Sequence, residues 1–332
     1  MKKLLTLLSS FIIVLALVLS CGCSGKTILS FNNSFNGGAN ATVEPGLSEI
    51  CEYSVRFAKK ENFSGAEVSD VNYTDGTFVT TLKILSDYED GGALPETDLY
   101  NTAERSIVLK FSTSFSVKAV YTVNGTEKAF DDTIESVVYF LPSEKSFAPL
   151  YSKTEKHSGN PFGEVGEYFD ETTEIVYYGS SYKITTEGNY SANDTASIDY
   201  TPKTLIDNAQ LLFAVRCFDI TSTATNIPVV ASAYKSAKTL AFTLESDESK
   251  TYSITLNGTP ADYSVRIKNC SLTLSSTKEA GQAHKFAVQK AGGDLTYKAY
   301  LTYYSQPIII NIGGGFPSYL GDLNFTLSSI TA

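Results

Sequence analysis

Cys51-Glu52-Tyr53-Ser54-Val55-Arg56-Phe57 alternates without a break: Cys51, Tyr53, Val55 and Phe57 fall on one side, Glu52, Ser54 and Arg56 on the other. Successive side chains of an extended backbone point to opposite faces, so this stretch predicts a strand with one dry face. Downstream, residues 68–73 and 77–85 flank Asp75-Gly76, a tight-turn pair, and predict a hairpin in which Phe78, Leu82 and Ile84 share a face. Further β-rich runs follow at 106–112 and 115–123, and Asn124-Gly125 closes the latter onto 128–130. A short apolar strand is expected at 137–141. From residue 174 the same pattern resumes through 330, with a third turn at Asn257-Gly258. Many short runs rich in Thr, Val, Ile, Tyr and Phe predict an all-β, mainly antiparallel fold, a curved half-barrel or a sandwich.

One segment breaks the alternation. Thr201-Pro202 reads as a helix start, and Leu205, Ala209, Leu212, Phe213 and Arg216 follow at helical spacing, predicting one principal helix near 202–218. Most of its faces are apolar, so it belongs against a sheet. Arg216 is the pointed residue in it: a guanidinium among Leu211, Leu212, Phe213 and Phe218 must reach water or meet an anion. Leu212, Phe213 and Arg216 are therefore the candidate ligand-binding residues, with an apolar tail along the first two and an anionic headgroup at the third.

The N-terminus supplies an address. Lys2 and Lys3 precede an apolar run from Leu4 to Leu19, and Ser20 precedes Cys21. This is the pattern of a secretory signal, followed by Gly-, Ser- and Asn-rich sequence in place of a stop-transfer charge cluster. Val18-Leu19-Ser20-Cys21 resembles the lipobox of bacterial lipoproteins, which implies lipidation at Cys21 and anchorage in a membrane. The organisation expected is a signal peptide over 1–20, a flexible tether over 21–48 and a single β domain over 49–332. The Gly- and Pro-bearing stretch 156–166 is the one candidate sub-boundary.

The chain has 332 residues, a formal charge of -10, two His, one Met and no Trp. The acidic balance argues against nucleic acid and against binding to anionic headgroups. His157, read as part of the central loop, and His284, read just before a strand, stand in no zinc spacing, and no GxSxG elbow occurs, so neither a metal nor a cofactor nor a catalytic residue is expected. Carboxylates cluster at Glu164, Glu167, Asp170, Glu171 and Glu174, beside glycines where solvated acids are usual. Of the five cysteines, Cys51 and Cys270 are the first disulfide pair to test in an exported protein.

The segment from Asp207 to Arg216, followed by Ile227-Pro228-Val229, resembles a helix and next strand in a bacterial envelope family of unknown function. Val138-Tyr139-Phe140 and Phe147-Ala148-Pro149-Leu150 sit where that family has an aromatic strand and a Pro turn. Those proteins are similar in shape to the half-barrel lipoprotein carriers, and the resemblance implies an exported domain with an apolar hollow and no catalytic residues. Two functions follow as expectations. One is a non-enzymatic, membrane-anchored lipoprotein binding an apolar or amphiphilic ligand. The other is a surface adhesion or scaffold module that meets another envelope protein.

Overall fold

The computed structural model describes residues 45–59, 68–88, 92, 94–100, 107–142, 147–164, 166–189, 194–199, 205–217, 224–230, 238–274, 283–293, 307–312 and 321–332. The expected signal peptide over 1–20, Cys21 and the expected tether up to residue 44 lie outside them.

Among the described residues, fifteen strands and one short helix follow in chain order. The first arm is β1 (Ser48–Lys59), β2 (Val68–Leu85), β3 (Val108–Val123), β4 (Thr126–Pro142), β5 (Phe147–Gly159), β6 (Tyr168–Tyr177), β7 (Ser181–Gly188) and β8 (Asp194–Asp199). Then come β9 (Ile206–Asp207), a 3-10 turn at Asn208–Gln210 and α1 (Leu211–Cys217). The second arm is β10 (Ala224–Val230), β11 (Lys238–Leu256), β12 (Thr259–Leu274), β13 (Ala283–Gly293), β14 (Pro307–Ile312) and β15 (Gly321–Thr331). All fifteen strands belong to one sheet, in the order β8-β7-β6-β5-β4-β3-β2-β1-β15-β14-β13-β12-β11-β10-β9. Pairing is antiparallel except between β9 and β10 and in a two-residue contact of β11 with β15. The fold is therefore all-β with an unclosed sheet, as the alternation predicts.

The first and last strands meet in the middle of that sheet: Cys51 pairs with Ile330 and Phe57 with Leu323. The C-terminus is also clipped from the side, where Asn257 donates its N–H to the Ile330 carbonyl at 2.8 Å and accepts from the Ala332 N–H at 2.9 Å.

The strands are longer than the apolar runs suggest. The two runs at 106–112 and 115–123 are one strand, β3, and 128–130 and 137–141 are parts of β4. Their polar interruptions, such as Ser112 and Ser114, lie on one face of the sheet, opposite Phe111, Phe115, Val117 and Ala119, which are buried. Asn124-Gly125 and Asn257-Gly258 are the predicted hairpin turns, with φ of 50° and 78°, and of 47° and 80°. Positive φ at both central residues is the type I′ geometry that matches strand twist.

Asp75-Gly76 is not a hairpin. It is a bulge inside the continuous β2, at which the register against β3 slips between Thr74 and Thr77. Asp75 takes φ 53°, so the same left-handed preference that would turn a chain here only twists it. Pairing on both flanks decides the matter, because Tyr53 of β1 holds Phe78 and Ala119 of β3 holds Tyr73. Gly76 is needed for closeness to β1: a Cβ there would lie 2.8 Å from Val55 Cβ. Gly76→Ala is expected to destabilise by about 1–2 kcal/mol in a denaturant titration. No loss of stability would mean that β1 yields freely at this point.

The helix begins later than Thr201-Pro202 suggests, since Leu205 is not helical and Ile206 pairs in parallel with Val229. Asp207 is the N-cap. Its carboxylate accepts from the Ala209 N–H at 2.7 Å, and Gln210 reaches back to the Asp207 N–H at 3.4 Å, forming a capping box.

Packing occurs on both faces of the first arm. On the face carrying Phe111, Phe140, Ile175 and Tyr177, the helix and its lead-in are seated on β3 to β7. On the other, Tyr88 and Tyr100 of the β2–β3 connection cover Val108, Tyr139, Leu150 and Tyr151. Pairing continues from β4 through β5 to β6 across 156–159, so this part of the candidate boundary is strand.

Candidate functional site

The helix seat comes first, because it holds the predicted ligand residues. Phe213 is 0% exposed and lies between Phe111 of β3, ring centroids 5.9 Å apart, and Phe140 of β4, 5.0 Å apart. Ala214 and Val215 are equally buried, and Leu212 is half-buried against the same core. Arg216 lies in α1, and its side chain is outside the described residues.

Sequence reading missed what pins this helix. The Asp207 carboxylate is buried and accepts from Ser152 Oγ of β5 at 2.5 Å and from the Tyr177 hydroxyl of β6. With the Ala209 N–H, three donors converge on one buried side chain. Burial pushes the Asp207 carboxyl above its ordinary range, and the three hydrogen bonds oppose that shift. The signal available in the sequence was Asp207 with Gln210 three residues on, a capping pair; nothing local pointed to Ser152 or Tyr177.

The opposite face carries polar clefts. One, of about 250 Å³, crosses β2 to β5 and is lined by Thr81, Lys110, Ser112, Glu135, Lys153 and Glu155. A second, of about 240 Å³, shares Glu135 and Glu155 and extends over β6 to His157, Asp170, Glu171 and Thr172. His157 is thus in strand β5 and not in a loop, directly opposite Asp170 in the β5–β6 register. Its Nδ1 donates to Asp170 Oδ1 at 2.5 Å, and its ring stacks on Tyr168 with centroids 3.9 Å apart. Lys153 pairs with Glu155 at 2.8 Å and Lys156 with Glu171 at 3.0 Å. The hydrogen bond it donates to Glu155 holds the Lys153 ammonium above its usual range.

What this surface can do follows from its exposure. A His–carboxylate pair polarises a nucleophile only when the other ring nitrogen meets one and water is kept out. Here the side chains of His157 and Asp170 are 44% and 56% exposed. Water-screened pairs of this kind contribute little to stability and suit polar recognition. Among the described residues, no group of three or more His, Cys, Asp or Glu is placed to hold a metal ion. The remaining carboxylates of the acidic run serve locally, as when Glu174 accepts from the Tyr151 hydroxyl at 3.0 Å.

Cys51 and Cys270 are both buried thiols, and the disulfide suggested for them is not formed. Cys51 sits in β1 between Ile330 and Thr80, while Cys270 sits in β12 between Leu244 and Phe286. Burial pushes the Cys270 thiol up to about 12, leaving it a small apolar packing group. Compared with known proteins, the chain matches no family model, no curated protein and no solved structure.

Proposed function

We propose that the protein is an extracytoplasmic lipoprotein, anchored through Cys21, whose β body is a non-enzymatic display or scaffold module of the cell envelope. The observation that carries this reading over a lipid carrier is the seat of α1. A carrier needs a wall facing a hollow, whereas Phe213 is enclosed by Phe111 and Phe140. A lipid-like tail along Leu212 and Phe213 would have to displace that packing, at a cost comparable to opening a cavity in the core. The exposed polar surface over β2 to β6, with its paired charges, is the face left for a protein partner.

Anchorage is tested by fractionating cells that express the wild-type chain or Cys21→Ala. Two or more acyl chains hold a protein firmly where one does not, so the wild type is expected acylated in the membrane pellet and the variant without acylation. A soluble wild type, or a variant still acylated, would remove the anchor from Cys21. The display reading is tested separately by organic extraction of the purified protein and by displacement of a fluorescent fatty acid. Co-purified lipid, or probe binding at micromolar concentration, would restore the carrier.

A further inference from the structure

Among the described residues, the large hydrophobic side chains left in water are Phe162, 58% exposed, and Phe169, 38% exposed. Both lie at one corner, on the turn from β5 to β6 and at the start of β6. Single apolar side chains scattered over a surface are ordinary. Two at one corner, on a turn held as tightly as this one, are not.

The turn is tied from every side. The Asn160 N–H donates to the Glu167 carbonyl at 2.9 Å, and the Glu164 N–H to Glu167 Oε2 at 2.8 Å. The N–H of Phe162 itself donates to Asn160 Oδ1 at 3.1 Å. From β4, Lys128 Nζ reaches the carbonyls of Pro161 at 3.0 Å and Gly163 at 2.7 Å. Gly163 leaves no room for a Cβ beside the Glu167 carboxylate, and Gly166 takes φ 84°. A loop ordered on folding has little left to lose on docking.

The turn's own charge has one sign. The turn carries Glu164 and Glu167 and no basic residue. Asp131, whose N–H is bound to the Tyr168 hydroxyl at 3.3 Å, and Asp170 are exposed beside it. Of the neighbouring ammonium groups, that of Lys128 is engaged by the turn carbonyls, and Lys118 stands opposite Asp131 in the β3–β4 register. An aromatic face attracts cations, and the carboxylates around it add to that attraction. Strand register places this turn at the end of the sheet away from residues 45–47, where Gly46 bonds to Ile84, roughly 40 Å along β3.

From this geometry we propose that the Phe162 turn is a docking knob for a basic segment of a partner protein, one that presents Arg or Lys beside an aromatic side chain. The proposal rests on the display reading, with this turn at the end of the sheet away from residues 45–47, but its test does not pass through the anchor. The chain has no Trp, so the indole emission of the peptide Arg-Arg-Trp-Arg-Arg reports binding without background. The full chain in non-ionic detergent is titrated with this peptide, protein-free micelles being subtracted. Saturable binding is expected, weakened at least about threefold by Phe162→Ser and by Phe162→Leu, which keeps an apolar group but loses the aromatic face. Glu164→Lys should weaken it by a similar factor, and Glu-Glu-Trp-Glu-Glu should not bind. All three variants lie at exposed positions and should melt with the wild type. Failure to saturate, equal affinity in the variants, or capture of the wild type but not Phe162→Ser by neutral phosphatidylcholine vesicles would overturn the proposal. The last result would make the turn a membrane contact.

Discussion

Phe213→Ala is expected to destabilise the protein by about 4 kcal/mol, among the larger single-site effects a core can show. The ring has no exposed surface and is flanked by Phe111 and Phe140 at tilts of 53° and 48°. Truncation removes the transfer free energy of the ring and leaves a void that the strands cannot follow, since β3 and β4 are paired along their whole length. Aromatic pairs contribute beyond buried area, which adds to the loss. The measurement is denaturant unfolding at equilibrium, comparing midpoint and slope with the wild type. A loss below about 1 kcal/mol would mean that the ring faces a space able to collapse or to hold a ligand, and the carrier reading would return.

The second large effect has the opposite sign. Asp132→Asn is expected to stabilise the protein by about 1–2 kcal/mol at pH 7.5 and by close to nothing at pH 4. Asp132 is 1% exposed; its Oδ1 accepts from the Gly159 N–H at 2.7 Å, while Oδ2 is buried with no hydrogen-bond partner among the described residues. Burial pushes the carboxyl up from 3.8 to about 6; the Gly159 hydrogen bond and His157 favour the charged form, and Asp131 opposes it. Because the folded value lies above the unfolded one, the native state takes up a proton that the unfolded chain does not hold between about pH 6 and pH 4. Stability from this group therefore rises as pH falls through that window and is absent above it. The ceiling is about 3 kcal/mol, less the cost of an amide N–H facing the same dry site. Asn keeps the acceptor for Gly159 and carries no charge. Asp207 is present in both proteins, so its own titration cancels in the comparison. A destabilised variant at pH 7.5, or the same shift at both pH values, would show that the Asp132 charge is satisfied in the native protein.

These two positions also mark how far the sequence could be read. Alternation in 51–57 and the two Asn-Gly turns are local: steric rules fix them within a few residues, and the structure repeats them. Asp75-Gly76 has the same local chemistry and a different outcome, because strands from elsewhere in the chain hold both of its flanks. The apolar density of 205–218 correctly announced burial, but the start of the helix depends on Ile206 pairing with Val229, beyond any local window. The candidate site was least legible. His157 and Asp170 meet only because the turn between them folds one strand back on the next in a particular register. The Ser152–Asp207–Tyr177 cluster joins three strands, and no spacing along the chain encodes it.

The pairing of β1 with β15 bears on how such a molecule is made. Synthesis delivers residue 51 long before residue 330, yet these two lie side by side in the finished sheet. Until β15 is made, β1 can bond to β2 on one flank only, and its other flank is an open template for any passing extended peptide. The joining of β1 to β15 is thus a zipping event with the largest sequence separation among the described strand pairs, which places it among slow, high-contact-order reactions. A nascent chain interrupted before residue 321 would keep its hairpins and lack the seam that joins them. Quality control could therefore distinguish complete from truncated copies by that one unsealed edge.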